Sequence, residues 1–452
     1  MKELIDKLRN KKINLSLVDG KLKLSYDDEF ENDLLEEIKL NKEALIGYLK
    51  KRESKLRPIL KLQQEKCLIA PNQTKLWAID KILGPSNLYN IPSVYSVKGE
   101  IDLCMFQKSW NIILNRHEIL RTFFEEKEDL KTYQILSDVE NPMQFIDACK
   151  ISDRELQQQI TQICEHIFDL QNGPLCLSVL LQKTEKEYVW IANFHHIVFD
   201  GWSEGLFLNE FRVIYENLLD GENIAHILKE PELQYKDYTS WHQNFIDENE
   251  NLKTYWKTVF FEIPERLKLP SNDISKVEHN HIGSSITIVF DDLWLSKLKE
   301  ICSQQHTTLF SGLFALVNAT LNKLTGELDI IVGTPSSGRE HPQLQDLIGF
   351  FVNTVPIRNK MVTDFNLIEH LHLFTKNINE AFEHQWLPFD EIIDTLNIPY
   401  EPFKNPLFDV FLALQNLENE SEIQNEDGSL SFEHYDLPLN EVAKFDMTFA
   451  FT

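Results

Sequence analysis

In the stretch INLSLVDGKLKLSY, apolar and polar residues alternate on both sides of Asp19-Gly20. An Asp-Gly pair readily adopts the positive φ angles of a tight two-residue turn, so the pattern predicts a β-hairpin. Leu4, Ile5 and Leu8 precede it at helical spacing, and Leu34, Leu35, Ile38, Leu45, Ile46 and Leu49 follow it in a second helical pattern. Residues 1–52 therefore read as a small αββαα unit, marginal in stability by itself. Residues 53–65, with Pro58, read as a linker. Beyond it the pattern is mixed. Helices are predicted over 106–114 and 206–219, and the aromatic, β-branched run YVWIANF (188–194) is a buried strand. A second half begins near Leu252. It carries predicted strands at 284–290 (SSITIVF), 329–334, 405–416 and 444–451, and helices at 294–303 and 308–324. The expectation is an α/β (α+β) body in two lobes, 66–245 and 246–452.

Composition narrows the function. A chain of 452 residues with 42% hydrophobic and 26% charged positions can bury a large core. It holds 45 Lys and Arg against 71 Asp and Glu, a net charge of −26, while residues 1–55 alone are nearly balanced at 13 against 12. An acidic body repels phosphate backbones and anionic membrane surfaces, so neither nucleic acid nor membrane is the expected partner. Cys67, Cys104, Cys149, Cys164, Cys176 and Cys302 form no CxxC pair and read as reduced thiols rather than a disulfide framework or a zinc site. The opening MKELIDKLRNKK has no apolar core of a signal peptide, and no apolar run reaches membrane-spanning length. A cytoplasmic location is expected.

The candidate chemistry is concentrated in NFHHIVFDGWS, residues 193–203. His195 and His196 leave a buried strand for a turn that Asp200-Gly201 closes before a helix. A strand end holds a side chain rigidly yet opens on a crevice, which suits an acid–base group. Gly201 permits close backbone approach, and Asp200 can fix the loop by pairing with an arginine. Other histidine pairs, His279/His281 and His370/His372, lack a carboxylate or Cys partner to complete a metal set, so no metal is expected.

His195-His196-Ile197-Val198-Phe199-Asp200-Gly201 resembles the HHxxxDG hallmark of condensation domains of nonribosomal peptide synthetases. The likeness extends along the chain. Asn72 to Trp77 resembles the family's opening motif, with Lys75 where an arginine is usual, and Arg116 to Phe123 resembles the second. Tyr235 to Tyr238 with Trp241, and Ile348 to Thr354 with Arg358, are similar to the fourth and fifth. His384-Gln385 with Pro388 to Asp390, and Asn405 to Phe408, resemble the last two.

The resemblance implies a V-shaped, two-lobed fold related to chloramphenicol acetyltransferase, with a tunnel between the lobes. Two carrier proteins dock on opposite faces, each presenting a thioester on a phosphopantetheine arm. The aminoacyl amine of one attacks the acyl thioester of the other, and no cofactor is bound directly. By the same resemblance His196 is the catalytic residue, as general base or as a positioning group. Asp200 pairs with an arginine of the second motif, Arg116 or Arg121, and on general electrostatic grounds a backbone N–H near Gly201 is the candidate to face the oxyanion. Trp202, Ser203 and Asn353 are expected to line the tunnel, whereas Trp241, His384 and Phe408 read as packing residues, because aromatic positions in regular elements usually fill cores. The Tyr89 to Pro92 segment is similar to domains that accept L-configured or achiral donors. The intact histidines speak against heterocyclization. Family members run on past the segment resembled by Lys444 to Met447, which implies a fragment with a truncated second lobe.

Residues 1–52 resemble TubC-type N-terminal docking domains, which implies an upstream synthetase subunit as partner and separates the chain from epimerization domains. Residues 2–23 carry seven Lys and Arg against three acids. Lys21 and Lys23 then flank an edge strand that captures an acidic C-terminal tail. A coenzyme-A-dependent acyltransferase of the same superfamily and a catalytically inactive docking scaffold are the alternatives.

Overall fold

The computed structural model describes residues 14–18, 21–25, 38, 41, 42, 45, 57–63, 67–138, 141–270, 283–399, 405–415, 422–424, 430–435 and 443–452. Near the N-terminus, β1 (Asn14–Val18) and β2 (Lys21–Ser25) pair antiparallel, closing on Val18 and Lys21 as the alternation predicts. Asp19, Gly20 and the helix expected over 2–10 lie outside the described residues, as does most of the closing helical pattern. Ile38 and Leu45 from that pattern are buried.

Residues 57–63, expected as linker, are pinned to the body. Ile59 is buried and its N–H donates to Gln343 Oε1 at 3.0 Å. The Leu62 N–H donates to Asp237 Oδ1 at 2.7 Å, and Trp241 Nε1 donates to the Arg57 carbonyl at 2.8 Å. An apolar anchor flanked by satisfied backbone groups gives this stretch a fixed path.

The first lobe contains β3 (Cys67–Leu68), α1 (Thr74–Leu83), β4 (Asn90–Gly99), α2 (Leu103–Arg116), β5 (Thr122–Glu126), β6 (Thr132–Leu136), β7 (Gln144–Asp147), α3 (Asp153–Cys164), β8 (Cys176–Thr184), β9 (Glu187–His195), α4 (Gly201–Leu219), α5 (Ile224–Ile227) and α6 (Tyr235–Glu248). Strand β9 lies between β4 and β8, and its alternation sets both faces of the sheet. Trp190, Ala192 and Phe194 face a core with α2 and α4, where the Trp190 ring lies 5.1 Å from Phe106 and 4.3 Å from Phe211. Val189 and Ile191 face α3 through Leu156 and Ile160. Helix α3 starts at a reciprocal cap, with Ser152 Oγ accepting from the Glu155 N–H and Glu155 Oε2 accepting from the Ser152 N–H. Burial raises the thiols of Cys164 and Cys176 in these cores to about 12, as expected for unreactive cysteines.

The rest of the chain contains α7 (Glu250–Val259), α8 (Asp292–Gln304), α9 (Leu309–Thr325), β10 (Asp329–Ser336), β11 (Asn353–Lys360), α10 (Leu367–Glu383), α11 (Phe389–Leu396), β12 (Val410–Leu414), β13 (Glu422–Gln424), β14 (Leu430–His434) and β15 (Met447–Phe451), which build the second lobe apart from β13 and β14. The second-lobe sheet runs β11-β10-β12-β15, antiparallel at β10–β11 and parallel thereafter. The chain then crosses lobes. Strand β14 pairs with β4 and β13 pairs with β14, giving the first-lobe order β13-β14-β4-β9-β8-β7. A division at residue 246 does not contain this crossover. Buried Leu430 and Phe432 explain it, since they complete the core around Trp190.

One predicted strand is absent. Residues 284–290 form no ladder, and Ile286, Ile288 and Val289 stand exposed. The alternation is strand-like, but no neighbouring strand among the described residues offers hydrogen bonds, and a strand without a partner is not stable.

Candidate active site

Two backbone bonds fix the end of β9. The His195 N–H donates to the Leu175 carbonyl at 2.9 Å and the His196 N–H donates to the Tyr89 carbonyl at 2.8 Å. A single 3-10 turn (His196–Val198) follows, and Asp200 caps α4 by accepting from the Ser203 N–H at 2.8 Å.

The two histidines differ. His195 is 4% exposed, and its Nδ1 accepts from the Ile197 N–H at 3.1 Å. Burial, reinforced by His196 and Lys444, lowers its pKa to about 3. His196 keeps partial exposure, and its Nδ1 lies 2.8 Å from the Phe199 carbonyl. A carbonyl only accepts, so Nδ1 carries the proton and the Nε2 lone pair is left open. Burial, then the Lys444 charge, lowers the His196 pKa to about 4, although the Phe199 bond and Asp200 oppose this. The ring packs edge-on against Phe350 with centroids 4.9 Å apart. At neutral pH His196 is therefore an uncharged, oriented hydrogen-bond acceptor.

Asp200 does not pair with Arg116 or Arg121. Its Oδ1 lies 3.1 Å from Arg339 Nη2, and both side chains are almost fully buried. Arg116 Nε instead donates to Glu210 Oε2 at 3.2 Å, beside His117. Arg121 donates to the carbonyls of Leu114 and Ser137. Both arginines satisfy groups of their own lobe, whereas Asp200 faces the other lobe, where its Oδ2 accepts from the Phe351 N–H at 3.0 Å. Arg339 also donates to the carbonyls of Leu344 and Leu347 and lies 4.1 Å over the Phe351 ring. Gly338 permits that approach. Its φ is +66°, and a Cβ there would overlap the Phe351 carbonyl oxygen.

Ser203, expected in the tunnel wall, is fully buried in the same node. Its Oγ bonds with Asp200, Arg339 and both backbone groups of Gly349. The helix register explains the correction, since position 203 of α4 turns toward the second lobe. Gly201 opens onto free space, with nothing within 4 Å of an added Cβ. Trp202 is exposed, and its Nε1 donates to the Gln345 carbonyl at 3.2 Å. Asn353 Nδ2 donates to the carbonyls of Gln385 and Leu387, and its Oδ1 accepts from the Phe389 N–H. It lines a narrow cleft with Asn72, Tyr238, His242 and Gln385. In this cleft His242 is buried between the Tyr238 hydroxyl and the Trp386 carbonyl, and burial lowers its pKa to about 4.

The packing residues are in place. Trp241 and Phe408 are buried, and His384 stacks on Tyr255 at 3.8 Å. His370 is held by the Asn366 carbonyl and the Val362 N–H, and His279 and His281 lie outside the described residues. Sequence reasoning missed Arg339 and Lys444. An arginine directly after Ser337-Gly338, in an otherwise small and apolar run, was the available signal for the first.

Residues 63–452 match the Condensation domain family model, and the chain belongs to the condensation-domain family of nonribosomal peptide synthetases. A linear gramicidin synthase protein of Brevibacillus parabrevis is 34% identical over 353 residues, 76% of this chain and 7% of that protein. Bacitracin synthase 1 of Bacillus licheniformis is 31% identical over 420 residues, 90% of this chain and 8% of that protein. The chain thus spans under a tenth of these relatives. In structure it is similar to the X-domain from teicoplanin biosynthesis, at TM-score 0.77, 20% identity and 87% coverage of each chain. It is also similar to the starter condensation domain of rhizomide synthetase, solved with C8-CoA and Leu-SNAC, at TM-score 0.70, 20% identity and 86% coverage of each.

Arg339→Met will cost about 3–5 kcal/mol of stability in denaturant melts, because it strands a buried carboxylate. Adding Asp200→Asn will recover part of that loss, and strict additivity of the two changes would contradict the pairing. Stability will also fall as pH drops from about 6.5 toward 4. In that window unfolded imidazoles take up protons while buried His195 and His242 do not, so the unfolded state binds more protons and gains. Thermal melts of His242→Gln will show a slope shallower by up to about 1.4 kcal/mol per pH unit.

Proposed function

We propose that this chain forms an amide bond between two carrier-bound substrates. The observation that carries the reading is the partly exposed His196 imidazole, with its proton held at Nδ1 by Phe199 and with no hydrogen bond at Nε2 among the described residues. In the proposed reaction the amine nitrogen attacks the thioester carbonyl carbon and the π electrons move to oxygen. The oxyanion then collapses, the C–S bond breaks, and the sulfur leaves as thiolate. The amine proton ends on that sulfur, so amide and free phosphopantetheine thiol balance the equation.

Such a reaction asks little of the protein. The thioester is already activated, so no Ser or Cys nucleophile is required, and tethering both substrates can offset about 7–11 kcal/mol of the barrier. His196 then orients the amine through Nε2, and an N–H near Gly201 serves the oxyanion. Trp202 and Asn353 are the proposed lining of the substrate passage. The phosphopantetheine arrives on partner carriers. One structural neighbour was solved with C8-CoA, so transfer from a coenzyme A thioester is the second reading.

Residues 1–52 serve, in the same proposal, to dock an upstream subunit. Two features support this. The β1–β2 pair joins no third strand among the described residues, and Lys21 and Lys23 stand two positions apart along β2. An acidic C-terminal peptide suits such an edge.

His196→Ala will lower amide formation from two loaded carriers by about 10²- to 10⁴-fold while the protein stays folded. Mass spectrometry of the carriers reads this out, and a wild-type rate would contradict the assignment. The same assay with coenzyme-A-bound donor separates the two donor readings. Lys21→Glu with Lys23→Glu will weaken binding of an acidic peptide and flatten its salt dependence in calorimetry, and unchanged affinity would refute the docking role.

A further inference from the structure

The buried Asp200 carboxylate is neutralised by Arg339, which leaves the histidine pair facing a different charge. Lys444 lies between β14 and β15, where Phe445 anchors the segment. The Phe445 ring stacks on Phe411 at 4.4 Å and 2° and on Phe408 at 5.6 Å, and Asn405 Nδ2 donates to the Lys444 carbonyl at 2.6 Å. With the neighbouring ring locked in this stack, the Lys444 ammonium sits 5.0 Å from the centre of the Tyr89 ring. Tyr89 is the residue whose carbonyl holds the His196 N–H, and its ring centroid lies 6.5 Å from that of His195.

Lys444 makes no ion pair among the described residues and is an exposed residue, and the protein groups around its ammonium lower its pKa. Its charge reaches both imidazoles and disfavours their protonation. The other charged or titratable groups around them are Asp200, which favours the His196 imidazolium, and Arg339, which is paired with Asp200. His166 lies beyond Phe168 on the His195 side.

We infer that Lys444 is the positive charge of the reaction site, set to face the thioester carbonyl oxygen as it becomes negative and, next, the departing thiolate. This inference rests on the amide-forming reading. It divides the work between two side chains. The neutral imidazole accepts a hydrogen bond from the amine, and the ammonium opposes transfer of the amine proton onto His196 while it stabilises charge on oxygen and sulfur. A preorganised cation at developing negative charge acts on the transition state more than on substrate binding, so its loss shows in turnover.

Two measurements on the full chain decide the matter. In carrier-to-carrier condensation, Lys444→Gln will lose about 10²-fold in kcat with KM nearly unchanged, and Lys444→Arg will retain most of the rate. Independently, histidine ring NMR, with the His196 signal assigned by its loss in His196→Gln, will show the pKa raised by about one unit in Lys444→Gln and not in Lys444→Arg. A kcat for folded Lys444→Gln within threefold of wild type overturns the catalytic role, and an unmoved His196 titration overturns the electrostatic contact. If the wild type makes no amide from any carrier pair, the condensation reading fails, and the titration still decides whether Lys444 acts on His196.

Discussion

A carboxylate buried between two lobes must be compensated in full, and Asp200 is where this structure meets that demand. Its two oxygens take the Arg339 guanidinium, the Ser203 hydroxyl and N–H, and the Phe351 N–H. Removing such an ion from water costs several kcal/mol, and only a complete set of partners returns it. The partners come from the start of α4 and from the loops around β10 and β11, so one node fixes where the first helix turn begins and how the lobes meet. The His196 ring hangs from the same turn through the Phe199 carbonyl. Orientation of the imidazole follows from the interlobe node.

On the proposed reading, the site carries its own positive charge within an acidic protein. Over the whole chain the net charge is −26. At the histidine pair, however, Asp200 is already matched by Arg339, and Lys444 stands without an ion pair among the described residues. Charges at close range outweigh distant ones that salt screens. Net charge therefore bears on partners and solubility, and the site follows its own balance.

Much of this was legible in the sequence where the signal is local. The YVWIANF run, the pairing of β1 with β2, and the helices at 106–114 and 206–219 follow from short-range periodicity, and the structure has them. The residues at the strand end were also legible, since His195, His196, Asp200 and Gly201 are contiguous. What failed was long-range. Nothing in the chain says that Asp200 pairs with an arginine 139 positions on rather than with Arg116 or Arg121. Nor can alternation tell that Ser203 turns into the interlobe node. The 284–290 run fails for a related reason, because a strand needs a partner that pattern alone does not supply. The crossover of β13 and β14 depends on Leu430 and Phe432 finding the first lobe's core, a tertiary fact.

Whether a neutral His196 presents Nε2 to the attacking amine is tested most directly by a crystal structure of the chain bound to a stable aminoacyl-pantetheine mimic, with an amide in place of the thioester. The amine nitrogen should lie within about 3.2 Å of Nε2 while Nδ1 stays on the Phe199 carbonyl. An amine bound elsewhere, or a ring turned so that Nε2 faces the protein interior, would contradict it.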